Sequence, residues 1–183
     1  MSYCTYCLKQ ETHELHKNYH DNHYGFPIED DNELFGRLIL EINQAGLSWE
    51  TILKKEAGFR DAYHQFEIEK IASYDQKDRE RLLSNPEIIR NKLKVNAAIY
   101  NANAILEIRK KSGTFKSWLD THAGLDKDEW VKIFRKKFKF VGGEIVNEFL
   151  MSTGYLKGAH DADCPVYNKV IIKRPNWLSY ERD

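Results

Sequence analysis

The sequence predicts an all-α fold. Apolar residues recur at three- and four-residue spacing along most of the chain, capping residues and glycines interrupt those runs at helical lengths, and no convincing period-two alternation is present. At 183 residues, 42% of them hydrophobic, the chain is long enough to bury a real core. A single domain over 1–183 is expected, with the tail from 165 to 183 left unassigned.

The elements follow in order. From Glu33 onward, Leu34, Phe35, Leu38, Ile39 and Ile42 share one helical face that ends near Gly46. Ser48 is placed to cap a short helix carrying Trp49, Ile52 and Leu53. Further helices are predicted over 59–66, 68–74, 77–83 and 86–90, the last with Asn85 as cap and Pro86 in its first turn. A long helix runs from near Leu93 to Lys110, and Gly113 stops it. Helices over 115–122, 128–138 and 144–152 complete the pattern, and VYNKVIIK near the C-terminus reads as extended.

Composition excludes several classes of partner. The 28 basic and 28 acidic residues cancel, so only local clustering can attract a polyanion. No apolar run approaches the roughly 18 residues of a membrane span, and MSYCTYCLKQ lacks the apolar stretch of a signal peptide. A cytoplasmic protein without a membrane partner is expected. Three cysteines, an odd number, suit thiols or metal ligands better than a disulfide scaffold.

Three constellations stand out. Cys4 and Cys7 form a C-x-x-C knuckle, and His160 and Cys164 a second pair; together they supply the tetrahedral S and N donors that structural zinc prefers. His13, His16, His20 and His23 are alternative ligands, and ordinary thiols with a loop histidine are the bland alternative. In KIFRKKFKFVGGEIVNEF, a basic helix bearing Lys132, Arg135, Lys136 and Lys137 runs through FKFVGG into a second helix. That is the layout of a helix-hairpin-helix, whose turn amides grip a DNA phosphate, although a solvated basic face beside a glycine turn has the same pattern. Finally, EINQAGLSWETI places Glu41, Asn43 and Gln44 close to a helix end, with Trp49 just past the break. Tyr19 and Trp49 read as two walls of an aromatic slot with Glu41 on its floor, suited to a flat cation. On spacing alone, a core tryptophan and a solvated glutamate explain the same residues.

CTYC, YHDNHYGFP, LEINQAGLSWETILKK, FRDAYHQF, IIRNKLKVNAAIYNA, FKFVGGEIVNEF and HDADC resemble, in order, the successive blocks of the DNA-3-methyladenine glycosylase I family. The resemblance implies a helix-hairpin-helix glycosylase that releases N3-methyladenine from double-stranded DNA; a monomer is expected, and, because no lysine is placed as a Schiff-base nucleophile, no lyase activity. It also implies a structural Zn2+ held by Cys4, His20, His160 and Cys164, with His20 displacing Cys7. Glu41 then matches the carboxylate that recognises the flipped base and acts on it; Tyr19, Trp49 and Tyr24 match the pocket. Lys139, Val141, Gly142 and Gly143 match the hairpin that holds DNA. Loss of zinc is expected to unfold the terminal clip before it touches the pocket.

The chain departs from the family pattern at His23 and Tyr24, where an acidic residue and a tryptophan are usual, and at Asn43, where a glutamine is usual. Phe140 stands where many helix-hairpin-helix glycosylases have a glycine. Asp161 and Asp163 are minor candidates for a catalytic aspartate, because they lie in the zinc loop. A zinc-stabilised DNA-binding module without catalysis is the competing class. It has no use for Glu41.

Overall fold

Among the residues described by the structure, a computed structural model covering 2–9 and 11–180, there are helices and no strands. The helices are α1 (Tyr3–Cys7), α2 (Glu14–Asn22), α3 (Asp31–Gln44), α4 (Trp49–Ala62), α5 (Ile68–Ala72), α6 (Gln76–Ser84), α7 (Lys92–Ser112), α8 (Phe115–Asp120), α9 (Lys127–Lys137), α10 (Gly143–Ser152) and α11 (Tyr167–Ile172). Short 3₁₀ turns occupy His64–Phe66 and Asn176–Tyr180.

Helix α3 is the axis of assembly. Leu34, Phe35, Gly36 and every residue from 38 to 43 are buried, because α4, α7, α8 and α10 all pack on it. A helix covered on most sides carries apolar residues all round, which makes Glu41 and Asn43 the anomalies. Asp30 caps its N-terminus by accepting from the amides of Asn32 and Glu33 at 2.9 and 3.0 Å. The next residue, Asp31, accepts from the Phe115 and Lys116 amides at 2.8 and 2.9 Å and from Arg109 Nε at 2.8 Å. One carboxylate thus joins the start of α3 to the end of α7 and the start of α8. Gly36 is required by close approach, since a Cβ there would meet the Phe66 ring at 2.3 Å.

Three expectations need correction. The predicted break between Leu53 and Phe59 does not exist: α4 runs unbroken through Gly58. That glycine makes room for the crossing chain, because an added Cβ would lie 2.6 Å from the Glu87 carbonyl. The crossing chain is the 86–90 segment, which is a turn and not a helix; Asn85 caps only the Glu87 amide, at 2.9 Å. VYNKVIIK is not extended. It forms α11, whose Val166 and Val170 pack against Cys4 and Cys164. A short apolar run does not distinguish strand from buried helix by spacing. Beyond α11, the Trp177 amide donates to the Gly154 carbonyl at 3.2 Å and Asn176 to Asp120 at 2.7 Å, so the tail packs on the helical body.

Candidate active site and metal cluster

A cavity of about 210 Å³ opens between α1, α2, α3, α4 and α10, lined by Tyr3, Tyr19, Tyr24, Glu41, Gln44, Trp49 and Glu148. Its size lies below the roughly 300–1,000 Å³ of drug-sized sites, which suits a single flat ring system. The break after α3 positions two of these residues. Glu41 sits in the last turns of α3, Gly46 adopts φ 82°, and Ser48 accepts from the Thr51 amide at 3.2 Å to start α4 at Trp49. The glycine turn brings Trp49 back to the cavity that Glu41 lines.

Glu41 is 3% exposed, and none of the described residues donates a hydrogen bond to its carboxylate. Burial, reinforced by Glu148 and opposed by Arg37, pushes its carboxyl up to about 8. Glu148 on α10 is also raised, chiefly by burial, and its Oε2 accepts from the Tyr24 hydroxyl at 3.2 Å. Arg37 donates to the Tyr19 hydroxyl at 2.8 Å. The Trp49 indole N–H is buried without a partner among the described residues.

The slot differs from its expected form. Tyr19 and Trp49 touch, with centroids 5.1 Å apart and planes at 58°, so no ring fits between them. They form adjoining sides of one aromatic corner, and Tyr3 and Tyr24 extend it. Of the departures, Tyr24 lines the cavity, while His23 stacks on Tyr19 from outside at 6.4 Å. Asn43 points away, donating to the Ile39 carbonyl of its own helix at 2.8 Å.

Cys4, His20, His160 and Cys164 converge, with all four potential ligand atoms within 4.8 Å of one another. The closest sulfur–nitrogen pairs are Cys4 Sγ with His160 Nδ1 at 3.5 Å, Cys164 Sγ with His20 Nε2 at 3.5 Å, and Cys164 Sγ with His160 Nδ1 at 3.7 Å. A tetrahedral zinc with ordinary bond lengths separates S and N ligands by about 3.6 Å. Both imidazoles have an outer partner: His20 Nδ1 meets Asp21 at 2.6 Å, and His160 Nε2 donates to the Tyr24 carbonyl at 2.7 Å. Those bonds turn the lone pairs of Nε2 and Nδ1, respectively, toward the cluster. Cys7 lies outside it, its thiol directed at the His16 carbonyl 3.7 Å away. His13 caps α2 and His16 bonds Tyr3, so neither competes for the site. Asp161 binds Ser2 and does not line the cavity.

Helices α9 and α10 pack together across the turn 138–142. Lys139 is exposed there and Val141 buried beneath it. A Cβ added at Gly142 or Gly143 would meet nothing within 4 Å, and α10 begins without a side-chain cap. The Gly142 amide donates to no backbone group among the described residues, and the first amides of a helix have no intrahelical acceptor. Phe140 adopts φ 58°, the left-handed region in which glycine is at ease, so the expectation of a glycine there had a backbone basis. Lys132, Arg135, Lys136 and Lys137 are exposed along the basic face of α9.

Four residues with clear roles were not anticipated. Glu148 and Tyr3 enter the cavity wall. Fully buried Asn101 clamps the turn, accepting from the Lys139 amide at 2.7 Å and donating to the Lys139 carbonyl at 3.1 Å. Buried Lys94 donates to the carbonyls of Asn43 and Ala45, both at 2.8 Å, and lies 5.8 Å from the centre of the Phe140 ring. The available signal was a polar side chain at a core position of a helical pattern: Asn101 between Ala98 and Ala102, and Glu148 beside Phe149.

The model of a family described as methyladenine glycosylase matches residues 9–134. DNA-3-methyladenine glycosylase 1 of Escherichia coli (strain K12) is 34% identical over 172 residues, covering 84% of this chain and 91% of that protein. The corresponding enzyme of Haemophilus influenzae is 33% identical, covering 82% and 91%. Among solved structures, 3-methyladenine DNA glycosylase I from Staphylococcus aureus superposes with a TM-score of 0.81 at 31% identity, covering 90% of this chain and 97% of the other. A tyrosine-to-phenylalanine variant of 3-methyladenine DNA glycosylase I in complex with 3-methyladenine gives 0.80 at 31% identity, covering 88% and 97%.

Proposed function

This chain belongs to the methyladenine glycosylase family, and from that premise we propose that it is a monofunctional DNA glycosylase excising N3-methyladenine in base excision repair. It acts as one domain and as a monomer on double-stranded DNA, extruding the alkylated nucleotide and hydrolysing its N-glycosidic bond. The observation that carries this reading is the buried Glu41 carboxyl, without a hydrogen-bond donor among the described residues, at an aromatic cavity of single-ring size. Such a group destabilises the empty protein and is compensated when a cation with N–H donors arrives.

The chemistry suits that occupant. Methylation at N3 makes the base a cation, so it leaves as neutral 3-methyladenine without strong acid catalysis. With the cavity empty, Glu41 holds its proton at neutral pH. Entry of the cation favours the carboxylate, which gives up that proton and accepts hydrogen bonds from the base edge. Unmodified adenine is neutral and gains neither charge pairing nor cation–π attraction from Tyr19, Trp49 and Tyr24. As the bond breaks, the carboxylate stabilises positive charge on the sugar while water attacks. Among the described residues, the cavity lining holds carboxyl and aromatic groups and no lysine; the proposed reaction is hydrolysis, without a Schiff base.

Cys4, His20, His160 and Cys164 would hold a structural Zn2+, which supplies a cross-link between the chain's two ends. Four protein ligands leave no position open for a metal-bound water, which disfavours a zinc hydrolase. The turn between α9 and α10 acts as a helix-hairpin-helix: the free amides at Gly142 and Gly143 meet a phosphate, and Lys139 adds charge above the Val141 anchor. Against a non-catalytic DNA-binding module stands Glu41, which such a module would bury at a loss.

The test is base release from methylated duplex DNA, resolved by chromatography, for wild type and Glu41→Gln. Free 3-methyladenine from wild type and a loss of at least about 100-fold in the variant are expected, as two charge-assisted bonds disappear. Binding without release by wild type would sink the glycosylase reading.

A further inference from the structure

The cavity holds a second carboxylate. Glu148 projects from α10 into the space that Glu41 enters from α3, and the Tyr24 hydroxyl fixes its Oε2 at 3.2 Å. Its half-buried side chain faces an aromatic lining, and the charged groups acting on it are Glu144 of its own helix and Lys127 of α9, which pairs with Glu144 at 3.0 Å. Glu41 in turn faces Arg37 and Glu148. Arg37 is engaged by the Tyr19 hydroxyl, so among the described residues no cation pairs directly with either carboxyl. Among the described residues, the Glu148 side chain makes no hydrogen bond or ion pair beyond the Tyr24 bond. Two acids in one apolar chamber are poorly matched to each other and well matched to an incoming positive charge.

We propose that Glu148, oriented by Tyr24, is a second recognition carboxylate, which with Glu41 makes the chamber select a positively charged base. This rests on the glycosylase reading above. One carboxylate accepts from the base edge. The other, held on a different wall by a phenol, lies alongside the charged ring and restricts entry to alkylated purines that carry a full charge. The Tyr24–Glu148 pair is therefore a unit of selectivity.

The experiment compares wild type, Glu148→Gln and Tyr24→Phe on duplexes carrying either N3-methyladenine or a neutral damaged purine, hypoxanthine, across pH 6 to 9. Glu148→Gln keeps the acceptor for Tyr24 and the side-chain shape, so the fold is retained, as a melting curve checks. Expected near pH 7.5, where hypoxanthine is neutral, is a roughly ten- to hundredfold fall in kcat/KM for the cationic base, the worth of one charge-assisted contact, while the low release of hypoxanthine does not fall with it, so the ratio of the two narrows. The acid limb of the profile, set by Glu41, moves to lower pH because a neighbouring negative charge is gone. Tyr24→Phe shifts selectivity in the same direction by a smaller factor. If wild type releases 3-methyladenine and Glu148→Gln matches it in kcat/KM and pH profile, the second carboxylate is refuted and the glycosylase reading stands. If wild type releases no base, both fall.

Discussion

Replacing Glu41 by Gln is expected to stabilise the empty protein while it abolishes activity, and the pH dependence of that gain identifies its cause. A glutamate that loses its proton near 4.5 in water does so at about 8 in this fold. A carboxyl raised in this way costs nothing below pH 4.5, where both folded and unfolded chains are protonated. The penalty grows as pH rises, reaching about 3 kcal/mol at pH 7 and levelling at about 5 kcal/mol above pH 8. Gln keeps the shape but does not titrate. Its amide, buried without partners, returns ~1 kcal/mol of the gain. The net effect at pH 7 is about 2 kcal/mol, or roughly 4–8 °C in Tm for a chain of this size. Scanning calorimetry of both proteins from pH 4.5 to 8.5 should show the difference in Tm widening with pH. A constant difference across that range would mean that Glu41 is not held protonated by the fold, and the electrostatic account of the pocket would fail.

Other outcomes follow from the same geometry. Removing the proposed zinc with a tight chelator should lower Tm steeply and also weaken base release, since His160 holds the Tyr24 carbonyl and His20 adjoins Tyr19; a chelated protein with unchanged release and Tm would contradict the shared architecture. This replaces the expectation that the clip would fail ahead of the pocket. X-ray absorption of the metal-loaded protein should give two sulfur and two nitrogen ligands and no water. Gly142→Ala should lower Tm by only a few degrees, because its Cβ meets nothing and the cost is that of a poorer N-cap, yet cut binding to undamaged duplex, measured by fluorescence anisotropy, about tenfold by crowding the phosphate. Asn101→Ala should cost about 1–3 kcal/mol of stability and weaken the same binding, because it leaves Lys139 backbone groups unpaired; wild-type anisotropy with a lowered Tm would confine Asn101 to folding.

The helical class was legible because α3, α7 and α9 are long enough for period and caps to agree. Failures came where glycine or a short apolar run has two meanings. The helix opening at Trp49 reads as short and instead runs on through Gly58, a crossing point, and VYNKVIIK was too short for its period to decide. At the site, Cys4, His20, His160 and Cys164 were named from resemblance and do converge. Spacing alone would have kept Cys7. Glu41 was conspicuous as an acid within an apolar run, whereas Glu148 was hidden on a helix read only for its glycines. That the aromatic corner is closed between Tyr19 and Trp49 depends on ring orientations that no linear pattern encodes.

Lys94 gives the molecule a fixed gauge. Its ammonium ties the end of the helix bearing Glu41 to the start of α7, beneath the ring of Phe140 in the turn proposed to hold the phosphate. The separation between the point that grips the strand and the chamber that receives a base is then a property of the protein, not of the DNA. Under the proposed grip, only the nucleotide at one offset from the held phosphate would reach the chamber, and the strand would be tested one position at a time.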